Sequence, residues 1–253
     1  MHDQYTDRAV AFIDILGLTE SVKLMRDNQK VFDDIIDALL GMQNHTSLGP
    51  LIYDDLNMQV FSDSIVLSTP VNAVGFASLI AAIEFLCCDL LKIGFFTRGG
   101  LTIGRLLHKE GILVGEGLIS AYELESKVSR FPRIVASRKF ADKFRSFLNN
   151  HEIDSFMGNC IVRANDGPTF VNILRRYNGI AIKLKDHLPL NGLELDWSRD
   201  GEITAHMLST KLAEAVDNPN HYEKVWWFCE YWNREAALAK YLSNPFPLIR
   251  QPT

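Results

Sequence analysis

The sequence has no excess of positive charge. Its 253 residues include 26 lysines and arginines against 31 aspartates and glutamates, so the formal net charge is −5. A protein that holds long nucleic acids through their phosphates needs a broad basic surface. The balance therefore predicts no nucleic-acid partner. It still allows one nucleoside triphosphate, because bound cations and a few arginines set the local charge at such a site.

Patterns typical of zinc sites, disulfide scaffolds and membrane spans are also missing. The four cysteines lack metal-finger spacing, the seven histidines are scattered, and no nucleophile elbow of the hydrolase type occurs. The longest apolar run, residues 74–91, is interrupted by Glu84 and Asp89, which indicates a buried helix rather than a membrane span. The first twelve residues lack the basic start and apolar stretch of a secretory signal. We expect a cytoplasmic protein with no membrane partner.

The order of apolar segments predicts an α+β fold. Residues 8–15 (RAVAFIDI) form a short apolar run typical of a buried strand, and helical spacing follows it. Two strands around a tight turn, a long helix over residues 71–93 and a glycine-rich strand come next. This β-α-β-β-α-β order is that of a ferredoxin-like core. A hairpin, a mostly helical C-terminal part and further short elements complete the chain. We expect a core domain in residues 1–150 and, in residues 151–253, a hairpin and helical extension packed on it.

Two aspartates stand at the ends of predicted strands. Asp14 closes the first strand, and Asp63 lies in the tight turn of the hairpin. In a ferredoxin-like sheet this strand and hairpin lie near one another, so both carboxylates can point at one spot. Magnesium and manganese take oxygen ligands, usually one or two carboxylates with phosphates and water. Two such ions can activate a hydroxyl and stabilise departing pyrophosphate. The alternative is that Asp14 caps a helix and Asp63 is an ordinary turn residue.

Several segments resemble the class III nucleotidyl cyclases. AFIDILGLTESV is similar to their first-strand signature, and QVFSDSIVLS is similar to their hairpin with its second metal-binding aspartate. RGGLTIGRLL and GILVGEGLISAYELES resemble the later strand, hairpin and helix. The resemblance implies that residues 1–150 are a cyclase catalytic domain and that Asp14 and Asp63 bind two divalent ions, Mg or Mn. It further implies Ile15 as a carbonyl ligand, the backbone at Gly17 and Leu18 near phosphate, and a homodimer with sites at the interface.

The residues that select purines in this class are replaced. The charged pair that reads adenine falls on Gln59 and Ile112, and the glutamate expected of a guanylyl cyclase is missing as well. The asparagine and arginine that steady the transition state fall on Ile119 and Glu123. Either the chain is a degenerate cyclase, or it belongs to a branch that uses other residues.

The second explanation is favoured by a narrower resemblance. TRGGLTIGRLLH, GEGLISAYELES and Tyr53 are similar to the pyrimidine cyclases of the Pycsar antiphage systems. Those enzymes use UTP or CTP and signal to a separate effector through cyclic UMP or cyclic CMP. The resemblance implies UTP or CTP as substrate, with uridylate favoured. Tyr53 would stack on or hydrogen-bond the base, although an aromatic strand residue is also an ordinary core residue.

Three further sets of basic residues are candidates for contacting the nucleotide. Arg98 could neutralise the triphosphate or donate to a pyrimidine carbonyl, or it could be a surface arginine at a strand end. Arg105 could face phosphate or be solvated. Lys127, Arg130 and Arg133 form a small cluster that could serve the partner subunit, or simply be an exposed helix end.

Three other functions remain compatible with the same residues. A non-catalytic nucleotide sensor would keep the fold and bind without turnover. A palm-type nucleotidyltransferase would share the carboxylates but join nucleotides between molecules. A dimerisation module would use the tryptophan-rich final helix.

Overall fold

The computed structural model describes residues 5–18, 21, 29–46, 55–109, 111–153, 155–177, 197–238 and 248–252. Within them lie eight strands: β1 (Thr6–Leu16), β2 (Asn57–Phe61), β3 (Ser64–Pro70), β4 (Phe96–Lys109), β5 (Ile112–Val114), β6 (Ile134–Ala136), β7 (Ile161–Arg163) and β8 (Thr169–Val171). The helices are α1 (Gln29–Thr46), α2 (Ala73–Lys92), α3 (Glu116–Lys127), α4 (Arg138–Asn149), α5 (Trp197–Glu214) and α6 (Pro219–Leu238).

The strands form one mixed sheet in the order β2-β3-β1-β4-β6-β8-β7, with β5 paired to β4. β1 is antiparallel to both β3 and β4, and β2 is antiparallel to β3. This arrangement of the first four strands, with helices in the two crossovers, is the ferredoxin-like core that the sequence predicts. β6 then joins β4 in parallel, and the β7–β8 hairpin extends the sheet.

Apolar side chains cover the sheet unequally. One face carries the main core, to which α1, α2, α4, α5 and α6 all contribute buried residues. In the part of the chain that the structure describes, α3 covers the opposite face, where a small cluster packs: Val10, Phe12, Val66, Leu106 and Ala121.

Helix α2 is long and apolar enough to cross a membrane by length and composition, but most of its surface is buried in the main core. It begins at Asn72, whose side chain accepts a hydrogen bond from the amide of Gly75 at 2.7 Å. That bond satisfies one amide of the first turn. The predicted helix over residues 71–93 therefore corresponds to a core helix of Ala73–Lys92.

The C-terminal part is anchored by buried polar contacts. Arg175, which follows β8, pairs with Glu84 of α2, and both side chains are buried. The hydroxyl of Tyr231 on α6 donates to Asn172 and accepts from the amide of Leu174. The tryptophan-rich final helix, α6, packs inward at Trp232, which is buried in the main core.

Candidate active site

Asp14 lies near the end of β1 between two neighbouring strands. It is directly opposite Ser64 of β3 on one side and Arg98 of β4 on the other. Residues that are opposite one another in antiparallel strands project on the same face of the sheet. The pairing therefore gathers Asp14, Ser64 and Arg98 on the face that α3 covers.

Asp63 is fixed to the same strand end by the backbone. It lies in the turn between β2 and β3, next to Ser62, which has a left-handed φ of 57°. The amide of Ile15 donates to the carbonyl oxygen of Asp63 at 2.8 Å. This bond ties the turn to β1, and the carboxylate of Asp63 acts electrostatically on that of Asp14.

Arg98 lies between two carboxylates. Its Nη2 is 3.6 Å from Oδ2 of Asp14, and the same nitrogen forms a closer ion pair with Oε1 of Glu125 on α3. The Arg98 side chain keeps 26% of its surface exposed, whereas that of Glu125 keeps 5%. The guanidinium of Arg98 thus interacts with two carboxylates, that of half-buried Asp14 and that of buried Glu125.

The negative charge at this corner exceeds what Arg98 neutralises. Burial and then the neighbouring carboxylate of Glu125 raise the pKa of Asp14 to about 6, the guanidinium of Arg98 lowers it in part, and the carboxylate of Asp63 raises it further. A raised carboxyl pKa means that the ionised form lacks full compensation. Added positive charge would therefore stabilise this corner.

The donors at the corner fit a hard divalent cation. They are carboxylate and carbonyl oxygens, which magnesium and manganese prefer. Among the described residues no group of three or more His, Cys, Asp and Glu side chains is placed to hold a metal ion together. Two carboxylates completed by carbonyls, water and substrate phosphates are the usual arrangement for magnesium at a nucleotide site.

Glu125 is the residue of this corner that the sequence reasoning missed. Helix α3 lies against the backbone of β4, since a Cβ added at Gly100 would be 2.1 Å from the carbonyl oxygen of Ala121. A Cβ at Gly104 would likewise be 2.6 Å from Cα of Gly117. Glu125 continues the series of Gly117 and Ala121 at four-residue spacing, so it shares their face and lies over the sheet. The sequence pattern that could have predicted this contact is the pair of small residues, Gly117 and Ala121, at the same four-residue spacing as Gly100 and Gly104 in the strand.

Comparison with known proteins finds similarity in structure alone. No family model matches the sequence, and no curated protein matches it. The monomeric guanylyl cyclase domain of the RhoGC fusion protein from the aquatic fungus Blastocladiella emersonii shares 14% identity over 66% of this chain and 95% of its own, with a TM-score of 0.45. The guanylate cyclase domain of RhGC from Catenaria anguillulae, in complex with GTP, shares 14% identity over 66% of this chain and 97% of its own, with a TM-score of 0.45.

The adenylyl cyclase CyaB from P. aeruginosa shares 13% identity over 65% of this chain and 91% of its own, with a TM-score of 0.44. These structures are guanylyl and adenylyl cyclase domains. The similarity gives no information on the base that is bound or on the reaction.

The loop that follows β1 has a backbone suited to a ligand. Gly17 has a φ of +80°, a left-handed conformation that glycine adopts without strain, and open space surrounds it. Its carbonyl accepts from the amide of Ser21 at 3.0 Å, which marks a helical turn. Leu18 buries its side chain in the main core, so any contact it makes with phosphate would come from its backbone.

The structure does not bring Arg105 to this corner. It lies on β4 opposite Asp7, seven residues beyond Arg98. At about 3.3 Å per residue the two arginines are roughly 23 Å apart along the strand. Arg105 instead donates to the carbonyl of Tyr5 at 3.1 Å and places its guanidinium 4.4 Å from the centre of that ring. Tyr53, the predicted base contact, lies outside the described residues.

The predicted basic cluster is engaged within the chain. Lys127 pairs with Glu123 at 2.7 Å, and Arg130 pairs with Glu223 at 2.7 Å. The third member, Arg133, is buried and forms two hydrogen bonds of 2.6 Å with Asp166. A buried arginine paired in this way has a structural role, while Lys127 and Arg130 remain exposed.

The positions to which the resemblance assigns purine selection and transition-state contact, Gln59, Ile112 and Ile119, are divided between the interior and the surface. Gln59 lies on β2 opposite Val66, on the face that carries Asp14, and its side chain is partly buried. Ile112 is 56% exposed and Ile119 is 62% exposed. An isoleucine side chain has no group that can donate a hydrogen bond to a phosphate, so neither position offers a polar contact to a ligand.

Proposed function

We propose that the protein is a pyrimidine nucleotide cyclase that converts UTP, or CTP, into the 3′,5′-cyclic monophosphate and pyrophosphate. The observation that carries the proposal is the convergence of Asp14, Asp63 and Arg98 at the end of β1. The motif resemblance to class III and Pycsar cyclases supports the same reaction. The cyclic nucleotide would act as a second messenger to a separate effector in antiphage defence.

The reaction is an intramolecular phosphoryl transfer. The ribose 3′-oxygen forms a bond to the α-phosphorus, the bond between that phosphorus and the bridging oxygen breaks, and pyrophosphate leaves. Two bound divalent ions, Mg or Mn, would supply charge neutralisation and acidify the 3′-hydroxyl. Asp14 and Asp63 would hold them together with the carbonyl of Ile15.

Protein groups position the reactants and manage the proton. The proton of the 3′-hydroxyl passes to Asp14 or to solvent. Arg98 keeps 26% of its side chain exposed, so part of its guanidinium can be reached by a ligand. A guanidinium can donate to a phosphate oxygen or to a pyrimidine carbonyl, and such charge-assisted bonds are strong ones.

We further propose that the enzyme acts as a homodimer through the face that α3 covers. Phe61, Ile119 and Tyr122 are large apolar residues exposed on or near that face. The ring of Phe12 lies 5.4 Å from that of Tyr122 in an edge contact and 6.3 Å from that of Phe61. A second copy placed here would bury these rings beside Asp14. Light scattering against concentration, with Ile119→Asp as the disrupting variant, measures this.

The reaction is tested with UTP, CTP, ATP and GTP, each incubated separately with Mn²⁺, and products identified by mass. We expect cyclic UMP or cyclic CMP, and a loss of at least about 100-fold in Asp14→Asn and Asp63→Asn, since each removes a cation ligand. Asp142→Asn is the matched control, because Asp142 is an exposed carboxylate on α4 that pairs with Arg145 at 2.8 Å.

Other products would assign another function. Binding of UTP with Mn²⁺ but no product would indicate a nucleotide sensor. A dinucleotide or a polymer would indicate a nucleotidyltransferase. The absence of any cyclic pyrimidine nucleotide at dimer-forming concentrations would refute the proposal.

A further inference from the structure

We propose that Glu125 is a positioning residue that keeps Arg98 in place when Asp14 binds a divalent cation. This inference rests on the cation site of the proposed function. It assigns a role to a side chain of α3 that the proposed reaction does not itself use.

Arg98 and a divalent cation compete for the same carboxylate. Arg98 lies 3.6 Å from Asp14, which is the residue proposed to bind the cation. A cation seated there places like charge beside the guanidinium. If Asp14 held Arg98 alone, the cation would either expel the arginine or bind weakly because of it.

Glu125 removes this conflict by giving Arg98 a second and closer carboxylate. The Arg98–Glu125 pair is the tighter of the two contacts, and Glu125 is 4% exposed. Solvent screens a partly buried pair such as this one less than a fully exposed pair. The guanidinium of Arg98 therefore remains paired with Glu125 of α3 when Asp14 binds the cation. Its exposed N–H groups can then donate to the substrate.

The position of Glu125 is set by backbone contact. The carbonyl of Ala121 and the Cα of Gly117 meet β4 where its residues are glycines, at Gly100 and Gly104. At these contacts the helix and the strand are too close to accept an added Cβ atom. Glu125 is one turn beyond Ala121, so its backbone is held close to β4 and its carboxylate can contact Arg98.

A simpler role would be attraction of the cation by the negative charge of Glu125. Glu125→Asp separates the two roles, because it keeps the charge and shortens the side chain by one methylene. Positioning predicts that Glu125→Asp weakens the binding of Mn²⁺ alone about 3- to 10-fold, since Arg98 then turns to Asp14. Charge attraction predicts affinity within 2-fold of wild type.

The test is a double-variant cycle on the full chain, with Mn²⁺ affinity measured by calorimetry in the absence of nucleotide. The variants are Glu125→Asp, Glu125→Gln, Arg98→Gln and the two combinations. We expect each change at Glu125 to weaken Mn²⁺ binding at least about 3-fold more when Arg98 is present than in the Arg98→Gln background. Equal factors in the two backgrounds, within 2-fold, would overturn the proposal, because independent charges contribute independently.

Glu123→Gln is the matched control. Glu123 is on the same helix and also pairs with a cationic side chain, but it is exposed. Its loss should leave Mn²⁺ affinity unchanged within 2-fold. If Glu125→Gln does not fold, as judged by circular dichroism, Glu125→Asp in the two Arg98 backgrounds decides alone.

Turnover gives an independent reading. With UTP as probe, Glu125→Asp should raise the Mn²⁺ concentration needed for half-maximal rate and lower kcat, while the KM for UTP at saturating Mn²⁺ changes less. If no variant forms cyclic nucleotide but the coupling in Mn²⁺ binding is present, the proposed function fails and the positioning role stands. If product forms and the coupling is missing, the positioning role fails and the function stands.

Discussion

Replacing Gly100 with alanine tests the close packing of α3 on β4. The added Cβ would lie 2.1 Å from the carbonyl oxygen of Ala121, 2.6 Å from Cβ of Leu124 and 3.0 Å from the amide nitrogen of Glu125. Ordinary van der Waals contact begins at about 3.4 Å for such pairs. Two of these three atoms belong to backbone and cannot rotate away, so the helix itself must move outwards by about 1 Å.

That movement has a cost in stability. Overpacking in a well-packed interior costs about 1–3 kcal/mol, and we expect the upper end, about 3 kcal/mol, because backbone opposes the new methyl group. In a protein of this size each kcal/mol lowers Tm by about 2–4 °C, so the midpoint should fall by about 6–12 °C. The same shift withdraws Glu125 from Arg98, and we expect weaker Mn²⁺ binding in whatever fraction stays folded.

The assay is urea unfolding followed by tryptophan fluorescence, with thermal unfolding as a second measurement. Gly41→Ala is the matched control, since Gly41 is in helix α1 and a Cβ there would meet nothing within 4 Å. Alanine in a helix interior is better than glycine by up to about 1 kcal/mol, so this control should be unchanged or stabilised. A free energy of unfolding for Gly100→Ala within 0.5 kcal/mol of wild type would refute the close approach of α3 and β4.

Three other perturbations follow from buried charge. In the absence of divalent cations, burial and then the neighbouring carboxylates hold the pKa of Asp14 at about 6, so its contribution to stability is full below pH 4 and lost as the pH rises through 6. Asp14→Asn should therefore be more stable than wild type at pH 8 by on the order of 1–2 kcal/mol in urea unfolding. Equal stability would contradict the raised pKa. Burial, and then the charge of Arg8, lower the pKa of His108 to about 4. The contribution of His108 to stability is present above pH 6.5 and lost as the pH falls towards 4, so wild type should lose about 1–2 kcal/mol more than His108→Gln between pH 7 and 5. Parallel pH profiles of the two proteins would refute this. Arg175→Met removes the guanidinium from buried Glu84 and should lower the free energy of unfolding by about 3–5 kcal/mol. Replacing both Arg175 and Glu84 with methionine should recover most of that loss. If the losses of the two single variants simply add in the double variant, the two side chains do not stabilise one another.

Long periodic segments made the fold accessible from the sequence. The apolar run of residues 8–15 predicts a buried strand, and the structure has it as Thr6–Leu16. The helix predicted over residues 71–93 is Ala73–Lys92, which ends near Gly94. Burial dictates these patterns directly, because each residue of such a segment faces the same kind of surroundings.

Contacts across the sheet could not be predicted in the same way. The partner of Arg98 depends on the register between β1 and β4 and on the height of α3, and neither is written in any local pattern. The same register carries Arg105 to the opposite end of β4 from Asp14. Glu125 has the sequence context of an ordinary helix-surface glutamate, but it is buried where its helix lies close to the glycines of β4.

Asp14 and Asp63 belong to parts of the sheet whose backbones are hydrogen-bonded to different extents. β1 lies inside the sheet, hydrogen-bonded to β3 on one side and to β4 on the other, whereas the turn that holds Asp63 connects to β2, the outermost strand on that side of the described sheet. Amide hydrogens of interior strands exchange with solvent only through large-scale unfolding, while those of an outer hairpin exchange through small local openings. Changes in the separation of the two carboxylates should therefore come from the hairpin side, with Asp14 as the stationary member of the pair.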